Sequence, residues 1–392
     1  MAVQSTQVVI IGAGPAGLAL GARLDQLGID NVILEQRSQD YVLARIRAGI
    51  LEQTTVNFLG TIKADARLRQ EGIPHHAVQL AFKNQLLPIG LGENTGGKVV
   101  TAYGQTEVTK DLCDLRSTSA SMTIYEADEV EPHDFDTDKP FVSYKINGQT
   151  HHLNCQLIAG CDGFHGVSRS RIPKTAIRLY EKSYPFGWLG LLADVPPVSN
   201  EVVYANTPRG FALCSMRSWT RSRYYIQCNP DDQVESWTDD MFWDELKRRL
   251  PDALSDQIKT GPSIEKSIAP LRSFVAEPLR FGRLLLAGDA AHVVPPTGAK
   301  GLNLAFSDIY YMSEAMARFF VEQDDQALDH YSIKALARVW KTQRFSWYMT
   351  NLTHRFSDDP FEQRVKEAEL DYITSSPSGQ QSIAENYVGM PL

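Results

Sequence analysis

Short apolar runs set between glycine turns organise the start of the chain. Val8-Val9-Ile10-Ile11 leads through a glycine-rich turn into Leu18-Ala19-Leu20-Gly21-Ala22-Arg23-Leu24, and a second run, Asn31-Val32-Ile33-Leu34, follows. Runs this short and uniformly apolar predict buried strands, and the stretch between them predicts a helix. Residues 1–75 therefore read as βαβ. Two more buried strands are expected at Leu157-Ile158-Ala159-Gly160 and Leu284-Leu285-Leu286-Ala287. A helix is expected over 106–116, with strands over 121–127 and 141–146. From Trp188 to Cys228 the pattern changes to period two, the mark of a half-buried sheet. Helical spacing begins near Asp240, breaks for the 284–287 strand, and resumes from Gly301 to about Leu336.

The first turn carries chemistry. In Gly12-Ala13-Gly14-Pro15-Ala16-Gly17, Gly12 permits the turn, Gly14 lets backbone approach a pyrophosphate, and Gly17 allows close helix–strand packing. The helix start then offers free N–H groups to phosphates. Glu35 ends the second strand, where a carboxylate binds a ribose hydroxyl. A second element lies far downstream, Gly288-Asp289-Ala290-Ala291-His292. Asp289 can accept hydrogen bonds from a sugar or ribityl hydroxyl. The Pro/Gly-rich loop after it gives way to a helix near Ala299, whose start would stabilise negative charge on a ring system. A plain NAD enzyme has no use for this second element. An FAD protein does, because the isoalloxazine lies far from the adenine.

Composition narrows the class. The 392 residues carry a net charge of -8, which leaves no basic footprint for nucleic acid. The five cysteines show no C-x-x-C spacing, so reduced thiols are expected and no metal site is read. No leader or membrane-length apolar run is seen, and cytoplasm is the expected address. In the period-two region Leu213, Ser215 and Arg217 share one strand face, while Arg223, Tyr225 and Gln227 share a face of the next. Hairpin pairing would bring Tyr225 to Ser215 and Arg217, and arginine's planar fork suits a carboxylate. A solvated face with surface arginines is the alternative.

The motifs together change those odds. Gly12-Ala13-Gly14-Pro15-Ala16-Gly17, Asp40-Tyr41-Val42-Leu43-Ala44-Arg45-Ile46-Arg47-Ala48-Gly49, Tyr103-Gly104-Gln105-Thr106-Glu107 and Gly160-Cys161-Asp162-Gly163-Phe164-His165-Gly166 run through the first half. Tyr184-Pro185-Phe186-Gly187-Trp188-Leu189-Gly190, Pro208-Arg209-Gly210-Phe211-Ala212-Leu213-Cys214-Ser215, Pro295-Pro296-Thr297-Gly298-Ala299-Lys300-Gly301-Leu302-Asn303 and Ala384-Glu385-Asn386-Tyr387 complete the set. End to end the chain resembles the 4-hydroxybenzoate 3-monooxygenases, single-component NAD(P)H-dependent flavoprotein aromatic hydroxylases. The resemblance implies an α/β fold: a doubly wound, Rossmann-like FAD domain (1–75, 98–180 and 268–320), an inserted mixed β-sheet for substrate (76–97 and 181–267), and a helical C-terminal part (321–392).

It also implies roles. Arg217 would bind the carboxylate of 4-hydroxybenzoate with Ser215 and Tyr225. Tyr204 would draw off the phenol proton, with Tyr387 next in a relay and His75 at its solvent end. A phenolate activates the ring carbon beside it, which a flavin C4a-hydroperoxide then attacks. Gly12, Gly14, Gly17, Glu35, Arg45, Arg47, Gln105, Asp289, Gly298, Lys300, Leu302 and Asn303 would hold FAD. The Pro296 carbonyl would face the reacting centre, and Lys300 with Glu52 would set the local potential. NADPH or NADH would use Arg37, Tyr41, Arg45, His165 and Arg169, with O2 as co-substrate and a homodimer as the expected assembly.

Two departures from the family pattern stand out. Glu35-Gln36-Arg37 replaces the Glu-Arg usual in NADPH users, which leaves NADPH only slightly ahead of NADH. Val202 stands where a bulkier leucine is expected, so that 3,4-dihydroxybenzoate becomes a candidate second substrate. The rivals are a sister hydroxylase of another hydroxy- or aminobenzoate, a flavin reductase without oxygen insertion, and a non-catalytic flavin-binding protein.

Overall fold

Four apolar strands with every residue buried or nearly so leave no edge for solvent, and they pair in parallel as such strands do. In the computed structural model, which describes residues 5–44 and 49–392, Val8–Ile11 lies between Asn31–Leu34 and Leu157–Gly160. The six-stranded sheet runs Arg280–Phe281, Leu284–Leu286, Leu157–Gly160, Val8–Ile11, Asn31–Leu34, Met122–Ile124, with only the Arg280–Phe281 pairing antiparallel. Helix Pro15–Gln26 packs between Gln105–Ser117 and Gly301–Glu322. Because the strands are parallel, their carboxyl ends form one row: Asp289, Asp162, Gly12 and Glu35. The chain order reverses at Val8–Ile11, which opens a crevice at that row.

The second layer is an eight-stranded mixed sheet. Its order is His292–Val293, Ser263–Glu277, Arg178–Ala193, Arg221–Cys228, Ala212–Ser218, Val202–Ala205, Ala77–Phe82, Gln85–Gly90. Alternation divides its faces. Leu189, Val203, Tyr224 and Ile226 pack on Phe242, Trp243 and Leu246 of helix Asp239–Arg248, while Tyr204, Leu213 and Tyr225 join the opposite cluster. Helices Gln326–Thr353, Pro360–Ser375 and Pro377–Val388 form the C-terminal part. The α/β architecture thus matches the expectation.

Three details differ from it. Helical spacing after Asp240 yields only Asp239–Arg248 and Asp252–Ser255, and the chain then forms the strand Ser263–Glu277. That strand pairs on both sides, with Arg178–Ala193 and His292–Val293, so tertiary pairing overrides a weak local pattern. The same antiparallel pair runs through the expected boundaries at 180/181 and 267/268. Helix 301 onward stops at Glu322, where Gln323 turns left-handed (φ 58), and a separate helix resumes at Gln326.

Candidate active site

The glycine turn has the geometry of a phosphate cradle. Gly12 adopts φ 104, and a Cβ on Gly17 would sit 2.0 Å from the Gly12 carbonyl oxygen, so neither position admits a side chain. Gly14, extended at the start of helix Pro15–Gln26, faces open space, and no side chain caps the helix. Those first N–H groups therefore point at whatever anion approaches. Glu35 is held in place: one carboxylate oxygen accepts the Ala13 N–H at 2.7 Å and the other the Arg37 N–H at 2.8 Å. Gln105 opens helix Gln105–Ser117. Arg45 and Arg47 lie outside the described residues.

Asp289 projects, exposed, from the turn that ends Leu284–Leu286. A residue with no assigned role fixes that turn: Asp308 accepts the Gly288 N–H at 2.9 Å and contacts His292 Nε2 at 2.6 Å, both buried. Asp162 in the neighbouring turn accepts the Ser168 N–H at 2.8 Å, and its Oδ1 is buried without a partner. Glycines that exclude side chains, an uncapped helix start and exposed Asp289 fit an FAD that spans the row of strand ends.

The loop after His292 departs from expectation in its helix start. Ala299 is left-handed (φ 56) after Gly298 (φ 95), so the helix begins at Gly301 and not near Ala299. No side chain caps it, which leaves the N–H groups near Leu302 facing the site. The Pro296 carbonyl accepts the Ala299 N–H at 3.0 Å, and Pro296 itself is exposed. Asn303 is committed inside the protein: its amide donates to Ile50 O (2.9 Å) and Ala299 O (2.8 Å) and accepts the Glu52 N–H (2.8 Å). Lys300 is buried, 2.6 Å from Glu52 and 2.9 Å from the Tyr387 carbonyl, and burial pulls its pKa down. Arg338, missed by sequence, shares Glu52 at 3.4 Å.

The sheet supplies the other wall. Tyr204 stands opposite Leu213 and Leu213 opposite Tyr225, so the three share one face. Ser215 lies two residues farther along, about 6.8 Å. The register shifts between Met216 and Ser218, and the bulge at Arg217 re-aims its side chain, whose Nη1 donates to Ser215 Oγ at 3.0 Å. Burial is the main force lowering the Arg217 pKa, and a hydrogen bond to Tyr225 opposes it. Among the described residues Arg217 forms no ion pair, its Nε is buried without a partner, and nearby Glu265 is taken by Arg223 at 3.1 Å. A half-buried cation with a buried Nε and no carboxylate is costly unless a ligand brings one. Trp188 and Phe211 stack along the same face.

The two walls meet at Tyr204. Its hydroxyl accepts the Gly298 N–H at 3.2 Å and lies 3.1 Å from the Tyr387 hydroxyl. Burial pushes the Tyr204 pKa up to about 12 and raises that of Tyr387 well above the ordinary phenol value. His75 differs from its expected place. It is 0% exposed rather than at the solvent end: it closes strand Ile73–His75 and stands opposite Val100, which is also fully buried. Burial lowers its pKa to about 4. Glu201, which sequence reasoning passed over, lies 3.5 Å from it.

The residues expected to meet the reductant differ in how free they are. Arg37 sits over the Tyr41 ring at 5.3 Å, both exposed, and His165 is exposed. Arg169 is occupied: it donates to Ala290 O at 2.7 Å and Phe164 O at 2.5 Å, between the Phe164 and Phe274 rings.

A family model described as an FAD binding domain matches residues 5–346. The p-hydroxybenzoate hydroxylase of Acinetobacter baylyi is 55% identical over 392 residues, 100% of this chain and 97% of that protein. A kynurenine 3-monooxygenase from Aspergillus terreus is 22% identical, over 82% of this chain and 71% of that one. Among solved structures, a p-nitrophenol 4-monooxygenase from Pseudomonas putida shares the fold with a TM-score of 0.84 at 18% identity, covering 100% of both chains.

Proposed function

The chain belongs to the FAD-binding-domain family and is a member of the p-hydroxybenzoate hydroxylase family, and from that premise we propose that it is an FAD-dependent monooxygenase that hydroxylates 4-hydroxybenzoate at C3. It consumes NAD(P)H and O2 and releases 3,4-dihydroxybenzoate, water and NAD(P)+. One observation carries the reading to these residues: Arg217, which forms no ion pair among the described residues, and Tyr204 stand on neighbouring strands of one sheet, and Tyr204 meets both Tyr387 of helix Pro377–Val388 and Gly298 of the cofactor loop.

The chain's own groups perform the following work. Arg217, with Ser215 and Tyr225, takes the substrate carboxylate and fixes which end of the ring faces Tyr204. Tyr204 stays protonated near neutrality, since its pKa stands at about 12. It therefore receives the phenol proton only as it gives its own to Tyr387, and no charge is stored on either. The ionised ring gains electron density at the carbon beside the oxygen. Trp188 and Phe211 exclude water from that carbon. The uncapped start of helix Gly301–Glu322 favours negative charge at the cofactor ring, and Asn303 holds the Ile50–Glu52 segment against it. Bound FAD supplies electron transfer from NAD(P)H and the activation of O2.

The reductant uses exposed Arg37, Tyr41 and His165, with Arg45 added by the family resemblance, and NADPH stands slightly ahead of NADH. Arg169 shapes that surface through Ala290 and Phe164 and does not reach out itself. Val202, buried beside Tyr204 in its strand, leaves room for a second hydroxyl and a side activity on 3,4-dihydroxybenzoate. The active form is a homodimer, as the family resemblance implies, and its expected address is the cytoplasm. Anaerobic stopped-flow reduction by NADPH and NADH, with and without 4-hydroxybenzoate, tests the reading. Strong acceleration of flavin bleaching by the benzoate supports it; equal rates would remove 4-hydroxybenzoate as the effector.

A further inference from the structure

A relay that ends on a buried group cannot deliver a proton to water. His75, which the family resemblance puts next after the tyrosine pair, is 0% exposed, and both of its ring nitrogens lack a hydrogen-bond partner. The next carrier must be a titratable group that touches both His75 and solvent. Strand register supplies one. Val202–Ala205 pairs in parallel with Ala77–Phe82, Val202 opposite Val78, so Glu201 arrives beside His75 and His76. Its Oε1 accepts the His76 N–H at 3.1 Å, and its Oε2 lies 3.5 Å from His75 Nδ1. Oε2 is buried and has no hydrogen bond, whereas the side chain as a whole is 18% exposed. Glu201 thus turns one oxygen inward to the relay while part of its side chain remains in contact with water.

We propose that Glu201 is the outer terminal of the proton relay, the carboxylate that exchanges the substrate's proton between His75 and solvent. The inference rests on the reading that Tyr204, Tyr387 and His75 conduct that proton. The step is proton transfer alone. The substrate O–H bond breaks with its electron pair left on oxygen, each hydroxyl passes one proton on as it receives another, His75 passes one to Glu201 Oε2, and Glu201 gives it to water. The groups around Glu201 are compatible with this. His75 is held neutral by burial, exposed His76 meets Glu201 through its backbone N–H, and the negative charge of Glu201 helps keep Tyr387 protonated. Burial raises the Glu201 pKa above the ordinary carboxylate value, which makes its inward oxygen a better acceptor for a passing proton. Glu201 acts through His75 and never meets the substrate.

The test uses FAD-loaded protein mixed rapidly with 4-hydroxybenzoate in weak buffer containing a pH indicator. Proton release should slow by about 10-fold or more in Glu201→Gln while the substrate Kd is unchanged. Glu201→Asp should fall between the two, and it replaces the Gln variant if that one fails to retain FAD. Wild-type release rates in Glu201→Gln would overturn the proposal. Tyr387→Phe separates the layers: slow release there with normal release in Glu201→Gln removes only Glu201, whereas normal release in both removes the relay itself.

Discussion

The cofactor cradle and the substrate face are built from opposite materials. The cradle is backbone: Gly12 at φ 104, a Gly17 that tolerates no Cβ, and two helix starts without side-chain caps. The substrate face is side chain: Arg217, Ser215, Tyr225 and Tyr204 gathered from three paired strands. Backbone sites depend on local conformation and fail when sterics change. Side-chain sites depend on long-range register and fail one function at a time. That contrast predicts which substitutions destroy the protein and which only retune it.

The largest effect should come from the cradle. Gly17→Ala places a methyl 2.0 Å from a carbonyl oxygen, a clash that only backbone movement relieves. It should cost on the order of 3 kcal/mol and strip FAD, read as a lower Tm and a colourless purified protein. Arg217→Met should show the opposite profile. Substrate Kd, titrated by flavin absorbance, should rise by about 100-fold or more, because the carboxylate loses its cation. Tm should hold or increase, because a desolvated charge without an acid has gone. A fall in Tm equal to that of Gly17→Ala would erase the distinction between the two regions.

Tyr204→Phe sharpens it further. Binding should change little, since Arg217 remains, while hydroxylation slows by about 100-fold and the bound phenol ionises less at a given pH. Two of the buried histidines, His75 and His354, weaken the fold in acid. His75 and His354 have pKa values lowered by burial to about 4 and about 3, so the unfolded chain binds more protons than the folded one below pH 6.5. Their contribution is complete above pH 6.5 and is lost as pH falls through about 4, by a few kcal/mol in all. Urea midpoints measured between pH 7 and pH 4 check the sign. The smallest effect is Val202→Leu: turnover of 3,4-dihydroxybenzoate should drop about 10-fold relative to 4-hydroxybenzoate, the worth of one methylene.

The same contrast explains what could be read from sequence. The glycine turn, Glu35 and the Gly288-Asp289 element announce themselves because their chemistry lies within a few consecutive residues. Ser215, Arg217 and Tyr225 follow from period two plus one hairpin, but residues alone left a solvated face open. Tyr204 and Tyr387 come together from positions far apart, and only the family resemblance joined them to each other and to His75. Glu201, Asp308 and Arg338 carried no motif: each is an acid or base whose meaning lies in a buried neighbour. The strand Ser263–Glu277 was hidden for the same reason, since its pattern is set by partners on both sides.

The central claim is oxygen transfer to a ring held between Arg217 and Tyr204. Turnover of 4-hydroxybenzoate under oxygen-18 gas with NADPH, followed by mass spectrometry of the product and a count of nucleotide consumed, tests it most directly. The account predicts 3,4-dihydroxybenzoate carrying one oxygen-18 atom, close to one per NADPH oxidised. Oxidation of NADPH to hydrogen peroxide with the benzoate recovered unchanged would contradict it.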